Sequence, residues 1–468
     1  MKKLFLLLLL SIIGKSLVKA QTPYTTEQFT IDSFLNVSYG IATDYAGNPD
    51  TLKMDIYRPH GDANCQRPIA VLVHGGAWVA GSKEDYDLIY LSKALAKRGW
   101  VVATINYRLG THKAANYSMY ALCNTSLAAP CAYICDSAEI IRANYRGMQD
   151  TKGAIRFMKN RSALDSSDVN NVFVVGQSAG AFIALATTFT DLPSEKPASC
   201  FAIANAPTPD PDLITYACIP SSNDLSRPDL GSIDGDLNLG SYDASVKGVG
   251  SFYGAMFDLN TIPNSSNNPC VYLFHQGSDV VVNYQYGQVL GRVSWECFAQ
   301  TNLCQSFYFY PFAHGGAAIQ SHFTTMSNPP VFQADIVANY NYMNNCLSNG
   351  HAIDNIALRT QNMVDLFAAR IALNGNTPQS NCTVGINQNQ APESSFTLYP
   401  NIINATTPLQ INSNQPEANY FIYDALGRLQ QFGKIHAAQT KVDLQALPQG
   451  MYVIRLSNGN QAQRFFKQ

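Results

Sequence analysis

Charge is scarce in this sequence. Only 14% of its 468 residues are Asp, Glu, Lys or Arg, against about a quarter in a typical soluble chain, and 31 basic against 33 acidic residues leave a net charge of −2. The basic residues are dispersed, so the stripe that a phosphate backbone demands is missing and no nucleic-acid partner is expected. Beyond the amino-terminal segment no apolar run approaches the ~20 residues that cross a bilayer, so no integral membrane segment is expected either. The eleven cysteines include no Cys-x-x-Cys pair and have no histidine at zinc-site spacing. That pattern speaks against a metal site.

What the sequence does have begins with Lys2-Lys3 and the apolar run 4–13, followed by the small-residue site Val18-Lys19-Ala20. This reads as a secretory signal peptide over residues 1–20, too short in its apolar core to be an anchor. Export permits disulfides. The odd cysteine count leaves at least one thiol unpaired, and connectivity is not legible, although Cys123, Cys131 and Cys135 crowd one stretch and Cys297 and Cys304 another.

From residue 29 to 58 the pattern alternates and predicts an antiparallel strand pair. Continuous apolar runs then appear at 69–73, 100–105, 172–175, 270–274 and 307–310, with helical stretches at 88–97, 149–159 and 179–189 between them. Strands buried on both faces and alternating with helices predict an α/β fold with a doubly wound, mostly parallel sheet, whose ligand site lies at the carboxyl ends of the strands. Residues 331–347 and 354–373 read as closing helices. Two loop-like insertions, 110–145 and 207–245, are candidates for the rim of a pocket. Within the second, Asp234, Asp236 and Asn238 have calcium-loop spacing, but Leu239 and Ser245 stand where Gly and Glu are needed, so no metal is assigned.

The stretch that organises the chain runs from Val172 into Gly176-Gln177-Ser178-Ala179-Gly180. An apolar strand, a Gly-x-Ser-x-Gly turn and an apolar helix make a nucleophile elbow, in which glycines let strand and helix cross closely and leave the serine oxygen proud of the sheet. Upstream, the first parallel strand ends in His74-Gly75-Gly76-Ala77-Trp78. Together these motifs resemble the α/β-hydrolase superfamily, and within it the esterases and lipases with a His-Gly-Gly oxyanion loop.

The resemblance spans most of residues 25–373 and implies roles for particular positions. Ser178 would be the nucleophile. The backbone N–H groups of Gly76, Ala77 and Ala179 would hold the oxyanion. Ala77 stands where the family often has a third glycine. The loop His275-Gln276-Gly277-Ser278-Asp279 looks like the one that bears the catalytic acid, making Asp279 the expected acid, with Asp258 the weaker candidate and His275 a loop brace. His314, in Phe312-Ala313-His314-Gly315-Gly316 after an aromatic run, is the expected base, with His322 as the alternative; His74 and Arg108 are read as structural. The order Ser178, Asp279, His314 is that of the superfamily.

Residues 374–395 are rich in Asn, Gln, Pro and Ser and read as a linker after a catalytic domain of 21–373. Beyond it, short alternating runs separated by turn signals predict a small β-sandwich over 396–468. Tyr399-Pro400-Asn401, the segment Asp424 to Arg428, Gly450-Met451-Tyr452 and Arg464-Phe465-Phe466-Lys467 resemble the C-terminal sorting domain of the bacterial type IX secretion system. The expected protein is therefore an exported serine esterase of a Gram-negative bacterium, taking ester substrates such as acylated polysaccharides or polyesters and meeting the secretion machinery through its last domain. A prolyl-oligopeptidase-type peptidase and a non-catalytic binding protein on the same fold are the competing readings. Too little chain precedes residue 69 for the propeller of the first, and a full set of triad residues counts against the second.

Overall fold

The computed structural model describes residues 23–110, 137–203, 227–292, 311–337, 350–373, 396–404, 408–413, 418–425, 427–457 and 462–468. The expected signal peptide 1–20, the run 307–310, the expected linker 374–395 and residues 111–136 of the first insertion, with Cys123, Cys131 and Cys135, lie outside the described residues. The chain divides into two compact units, Met1–Asn381 and Cys382–Gln468.

In the first unit the strands in chain order are β1 (Thr30–Thr43), β2 (Pro49–His60), β3 (Arg67–Val73), β4 (Val101–Ile105), β5 (Ser167–Gln177) and β6 (Gly248–Phe252). They continue with β7 (Ala255–Met256), β8 (Cys270–Gln276), β9 (Tyr286–Gln288), β10 (Phe312–Gly315) and β11 (Phe332–Val337). Eight of them form one sheet in the order β1-β2-β4-β3-β5-β6-β8-β11. The β1–β2 and β2–β4 pairs are antiparallel and every later pair is parallel. The expected mostly parallel, doubly wound sheet is what the chain builds. After β3 the chain steps outward to β4, then crosses back to place β5 on the other side of β3. The carboxyl ends of β3 and β5 flank the reversal point where such sheets open a crevice.

Both faces of this sheet are covered, which is why its strands read as unbroken apolar runs. Side chains alternate along β3: Ile69, Val71 and Val73 enter one core, Ala70 and Leu72 the other. The first core is closed by the helices Ser137–Asn160 and Ala179–Phe189 through Ala143, Ile155, Met158, Phe182 and Leu185. The second is closed by Tyr86–Ala96 and Ile356–Leu373 through Leu88, Leu91, Leu95, Met363 and Phe367, with Phe173 and Phe367 stacked at 4.5 Å. Burying each such side chain contributes roughly 1.5–3 kcal/mol.

Two expected elements differ. Residues 332–337, expected within a helix, are β11, because β8 presents an open parallel edge there and the backbone of this half-buried run pairs with it from Val271 to Gln276. Tertiary pairing overrides a short apolar run that suits either structure. The helix expected at 149–159 starts at Ser137 and takes in the end of the first insertion. Its polar face is covered as well as its apolar one. Lys152 donates to Thr190 O at 2.8 Å, Arg156 to Leu237 O at 2.9 Å, and Lys159 pairs with Asp243 at 2.8 Å. The described part of the second insertion, 227–245, is thereby clamped onto that helix. Lys152 also pairs with Asp234 at 3.3 Å, so a side-chain cation answers the carboxylate of the failed calcium loop.

Of the described cysteines, Cys200 and Cys270 are buried free thiols and Cys65 is disulfide-bonded. Burial pushes the Cys200 thiol up to about 12, so it stays protonated and unreactive.

The second unit has a three-stranded sheet (Phe396–Tyr399, Leu409–Ser413, Gln439–Val442) and a five-stranded one that includes Asn419–Asp424 and Gly450–Leu456. Phe396, Ile411 and Val442 from the first share one core with Ile422, Ile454 and Phe465 from the second, which is the expected sandwich.

Arg108 is structural, as expected. Its backbone N–H and Nε both donate to the fully buried Asp150, at 2.8 and 2.9 Å, while Nη1 reaches Thr43 O and Nη2 reaches Gln149. This pair ties the end of β4 to the helix Ser137–Asn160, and removing one partner would strand a buried charge. Asp150→Ala should therefore cost about 3–5 kcal/mol, read as a lower urea midpoint. An unchanged midpoint would mean that Thr43 and Gln149 suffice to hold Arg108.

Candidate active site

β5 runs into Ser178, whose backbone sits at φ 52°, ψ −126°, a conformation costing about 1–3 kcal/mol and persisting because its surroundings over-determine it. A Cβ at Gly176 would overlap the carbonyl of Gly180. One at Gly180 would overlap the carbonyls of Val73 and His74 at the end of β3. The two glycines thus let the helix Ala179–Phe189 start in contact with the strands, and Ser178 N–H donates to Phe252 O at 3.0 Å, fixing the turn between the ends of β5 and β6.

The loop after β3 presses on this turn. A Cβ at Gly75 would lie 3.0 Å from Ser178 Cβ. Gly76, Ala77 and Trp78 follow with φ of 103°, 50° and 63°, and Gly76 O accepts from the N–H groups of Val79 and Ala80, closing the bend. The bend is pinned by Trp78, which donates through Nε1 to Asn144 at 3.2 Å and packs edge-on against Phe182. His74, wholly buried, donates through Nδ1 to Gly75 O at 2.7 Å and stacks on Tyr107 at 4.5 Å. Burial lowers its pKa, so the ring stays neutral and structural, as expected.

The histidine that meets Ser178 is His351. Its Nε2 lies 2.8 Å from Ser178 Oγ and its Nδ1 lies 2.9 Å from Asp279 Oδ2. Asp279 is fully buried, and its Oδ1 accepts from the backbone N–H groups of Val281 and Val282 at 2.8 and 2.9 Å. Burial pushes its pKa up, but the charge of His351 and hydrogen bonds from His275 and His351 outweigh that and hold the carboxyl below its ordinary value. A carboxylate can only accept, so Nδ1 of His351 carries the proton that Asp279 takes, and the Nε2 lone pair faces the serine hydroxyl. The ring of Tyr253 packs against His351 at 4.6 Å. Gly350, at φ 73°, lets the chain pass the Asp279 loop: a Cβ there would overlap Asp279 N and come 2.6 Å from Ser278 Oγ.

Of the expected residues, Ser178 and Asp279 are therefore brought together and His314 is not. His314 lies on β10, in a separate small sheet paired antiparallel to β7 and β9. Its ring packs on Tyr286 at 4.5 Å; burial lowers its pKa, with Asp258 raising it and His322 lowering it. His322 is on the adjoining helix Gly316–Thr325, and Asp258 accepts from Asn260 N–H as a cap of the turn at 259–261. The physical reason is the register of the sheet. Asp279 follows β8, and the next parallel strand is β11, whose last residues lie beside His275 and Gln276. A chain leaving β11 emerges next to the acid loop, whereas β10 is not in that sheet. Had the run 332–337 been read as a strand, the next histidine along the chain would have been His351.

Among the described residues no cluster of His, Cys, Asp or Glu could hold a metal ion, and no helix is long and apolar enough to cross a membrane.

A family model described as BD-FAE matches residues 54–139, and the secretion system C-terminal sorting domain matches residues 397–467. The chain is similar to the neuroligin-like protein glit-1 of Caenorhabditis elegans, 31% identical over 134 residues that cover 28% of this chain and 15% of that protein. It is also similar to the bile salt-activated lipase of Homo sapiens, 29% identical over 141 residues that cover 29% of this chain and 16% of that one. The chain thus spans less than a fifth of the length of either relative. A solved structure described as a truncated carbohydrate esterase from gut microbiota is similar at 14% identity with a TM-score of 0.39, covering 75% of this chain and 100% of that one. The mostly parallel sheet with an elbow serine at its reversal point is an α/β-hydrolase fold, residues 54–139 of it match the BD-FAE family model, and residues 397–467 match the secretion system C-terminal sorting domain.

Proposed function

We propose that the protein is an exported serine hydrolase that cleaves carboxylic esters. The observation that carries this reading is the unbroken line from Ser178 Oγ to His351 Nε2 at 2.8 Å and from His351 Nδ1 to Asp279 Oδ2 at 2.9 Å. In the reaction, His351 takes the serine proton as Oγ bonds to the ester carbonyl carbon, and Asp279 stabilises the imidazolium that forms. The N–H groups of Gly76, Ala77 and Ala179 receive the developing oxyanion. Collapse breaks the carbon–oxygen bond to the alcohol, which leaves with the proton from His351. Water, deprotonated by the same ring, then frees the acid and restores Ser178. Every group in this cycle belongs to the protein, so the chemistry asks for no cofactor.

The second unit supplies the address and takes no part in the chemistry, since each of these residues precedes residue 374 and the sorting match begins at 397. Export would carry the enzyme to ester-decorated polymers outside the cell, acylated polysaccharides or polyesters, which a panel of such esters scored by released acid would distinguish.

Assayed on a short-chain nitrophenyl ester, Ser178→Ala and His351→Ala should each lose at least about three decades of kcat, with melting temperatures close to that of the parent. His314→Ala should stay within about two-fold of the parent; a loss as deep as that of His351→Ala would return the base to His314. Gly350→Ala should cost about 100-fold in kcat by displacing His351, with little effect on KM, and full activity would mean that the Asp279 loop yields to a methyl group. A chain ended at Asn381 should keep its ester turnover but remain in the periplasm of the native host. Normal release into the medium would remove the sorting role.

A further inference from the structure

The reading of the triad leaves one buried group next to it unused. His275, at the end of β8, has no exposed surface. Its Nδ1 accepts a hydrogen bond from Gly316 N–H at 3.1 Å, made possible because Gly316 has no side chain: a Cβ there would come 3.1 Å from His275 Cβ. A ring nitrogen that accepts from an N–H carries a lone pair, so in the neutral ring the proton is on Nε2. That Nε2 lies 3.2 Å from Asp279 Oδ2 and 3.0 Å from Val282 O, both acceptors. The proton is therefore shared between the carboxylate and the backbone of the same loop.

We propose that His275 is a positioning residue for the triad, its Nε2–H and the Nδ1–H of His351 meeting on the single oxygen Asp279 Oδ2 and so holding that oxygen in line with the catalytic ring. This deepens the triad reading and rests on it. Oδ1 is already held by two backbone N–H groups. Rotation of the planar carboxylate about its Cβ–Cγ bond moves both oxygens together, so the two N–H groups on Oδ1 and the Nε2–H of His275 on Oδ2 resist the same motion from its two ends. Preorganisation of this kind acts on the step in which His351 becomes charged, more than on substrate binding. It should appear in kcat and spare KM.

His275 has two bonds that can be separated by substitution. In the full-length chain, His275→Asn can keep an acceptor near the position of Nδ1 for Gly316 but cannot reach Asp279, whereas His275→Gln can extend an amide N–H to the position of Nε2 but gives up the Gly316 bond. Each variant is titrated with a fluorophosphonate to count reactive serines, and kcat and KM are measured per titrated site on nitrophenyl acetate. The expected result is a fall of about 10-fold or more in kcat for His275→Asn with KM within about two-fold, and recovery of at least half of that loss, on a logarithmic scale, in His275→Gln. A loop brace acting through Gly316 demands the opposite ranking, Gln worse than Asn, and that ranking overturns the proposal. So does an Asn variant with the parent's kcat, or the absence of titratable serine in both variants. Ser178→Ala run in parallel keeps the two readings apart: its activity tests the triad, the Asn and Gln ranking tests His275.

Discussion

The structure depends on one close approach of backbone to backbone. The helix Ala179–Phe189 begins directly over the carboxyl end of β3, where Gly180 faces the carbonyls of Val73 and His74 with no side chain between them. This contact brings the nucleophile turn and the loop that follows β3 into a single piece, since the residues whose carbonyls Gly180 touches lead straight into Gly75, Gly76 and Ala77. Widening the gap by one methyl group would separate serine from loop. The apolar layers on both faces of the sheet, with Trp100, Phe173 and Phe367 on one side and Phe182 on the other, keep the strands in a register that permits the contact.

A second constraint operates at the acid. Asp279 is a buried carboxylate, a group that water would otherwise solvate, and four donors replace that water: two backbone N–H groups on one oxygen and two imidazoles on the other. Only one of those imidazoles touches Ser178. The site thus has an asymmetry that a line of three residues omits, because the same carboxylate oxygen faces one histidine that meets Ser178 and one that does not. Gly350 and Gly316 are the backbone counterparts of this arrangement, each letting a chain segment come within contact of a histidine or of the acid loop.

The particular elements show where sequence reading works here and where it fails. The elbow was legible because every one of its requirements is local: an apolar strand, two glycines flanking Ser178, and a helix of small apolar residues. Arg108 was legible as structural through the resemblance of its segment Asn106-Tyr107-Arg108-Leu109 to one in these esterases. The histidine that meets Ser178 was not legible, because His314 has a convincing local context, an aromatic run before it and glycines after, while His351 has almost none beyond Gly350. Local context could not reveal that β10 pairs with β7 and β9 and never enters the main sheet. The segment 332–337 carried the missing information, but its apolar residues fit a helix or an edge strand equally well, and only pairing with β8 decides between them.

By itself, then, the sequence determined the α/β layering, the elbow that carries Ser178, the loop that carries Asp279 and the distinct β-rich unit at the end of the chain. Each of those depends on residue periodicity or on glycines within a few positions of one another. Tertiary structure alone decided which histidine meets Ser178 and that a second one shares Asp279. Ser178 and His351 are 173 positions apart, and their meeting depends on which strand takes the open edge of β8. Edge pairing of that kind is selected by the whole sheet, through hydrogen bonds any backbone can make, and leaves almost no mark on the side chains concerned.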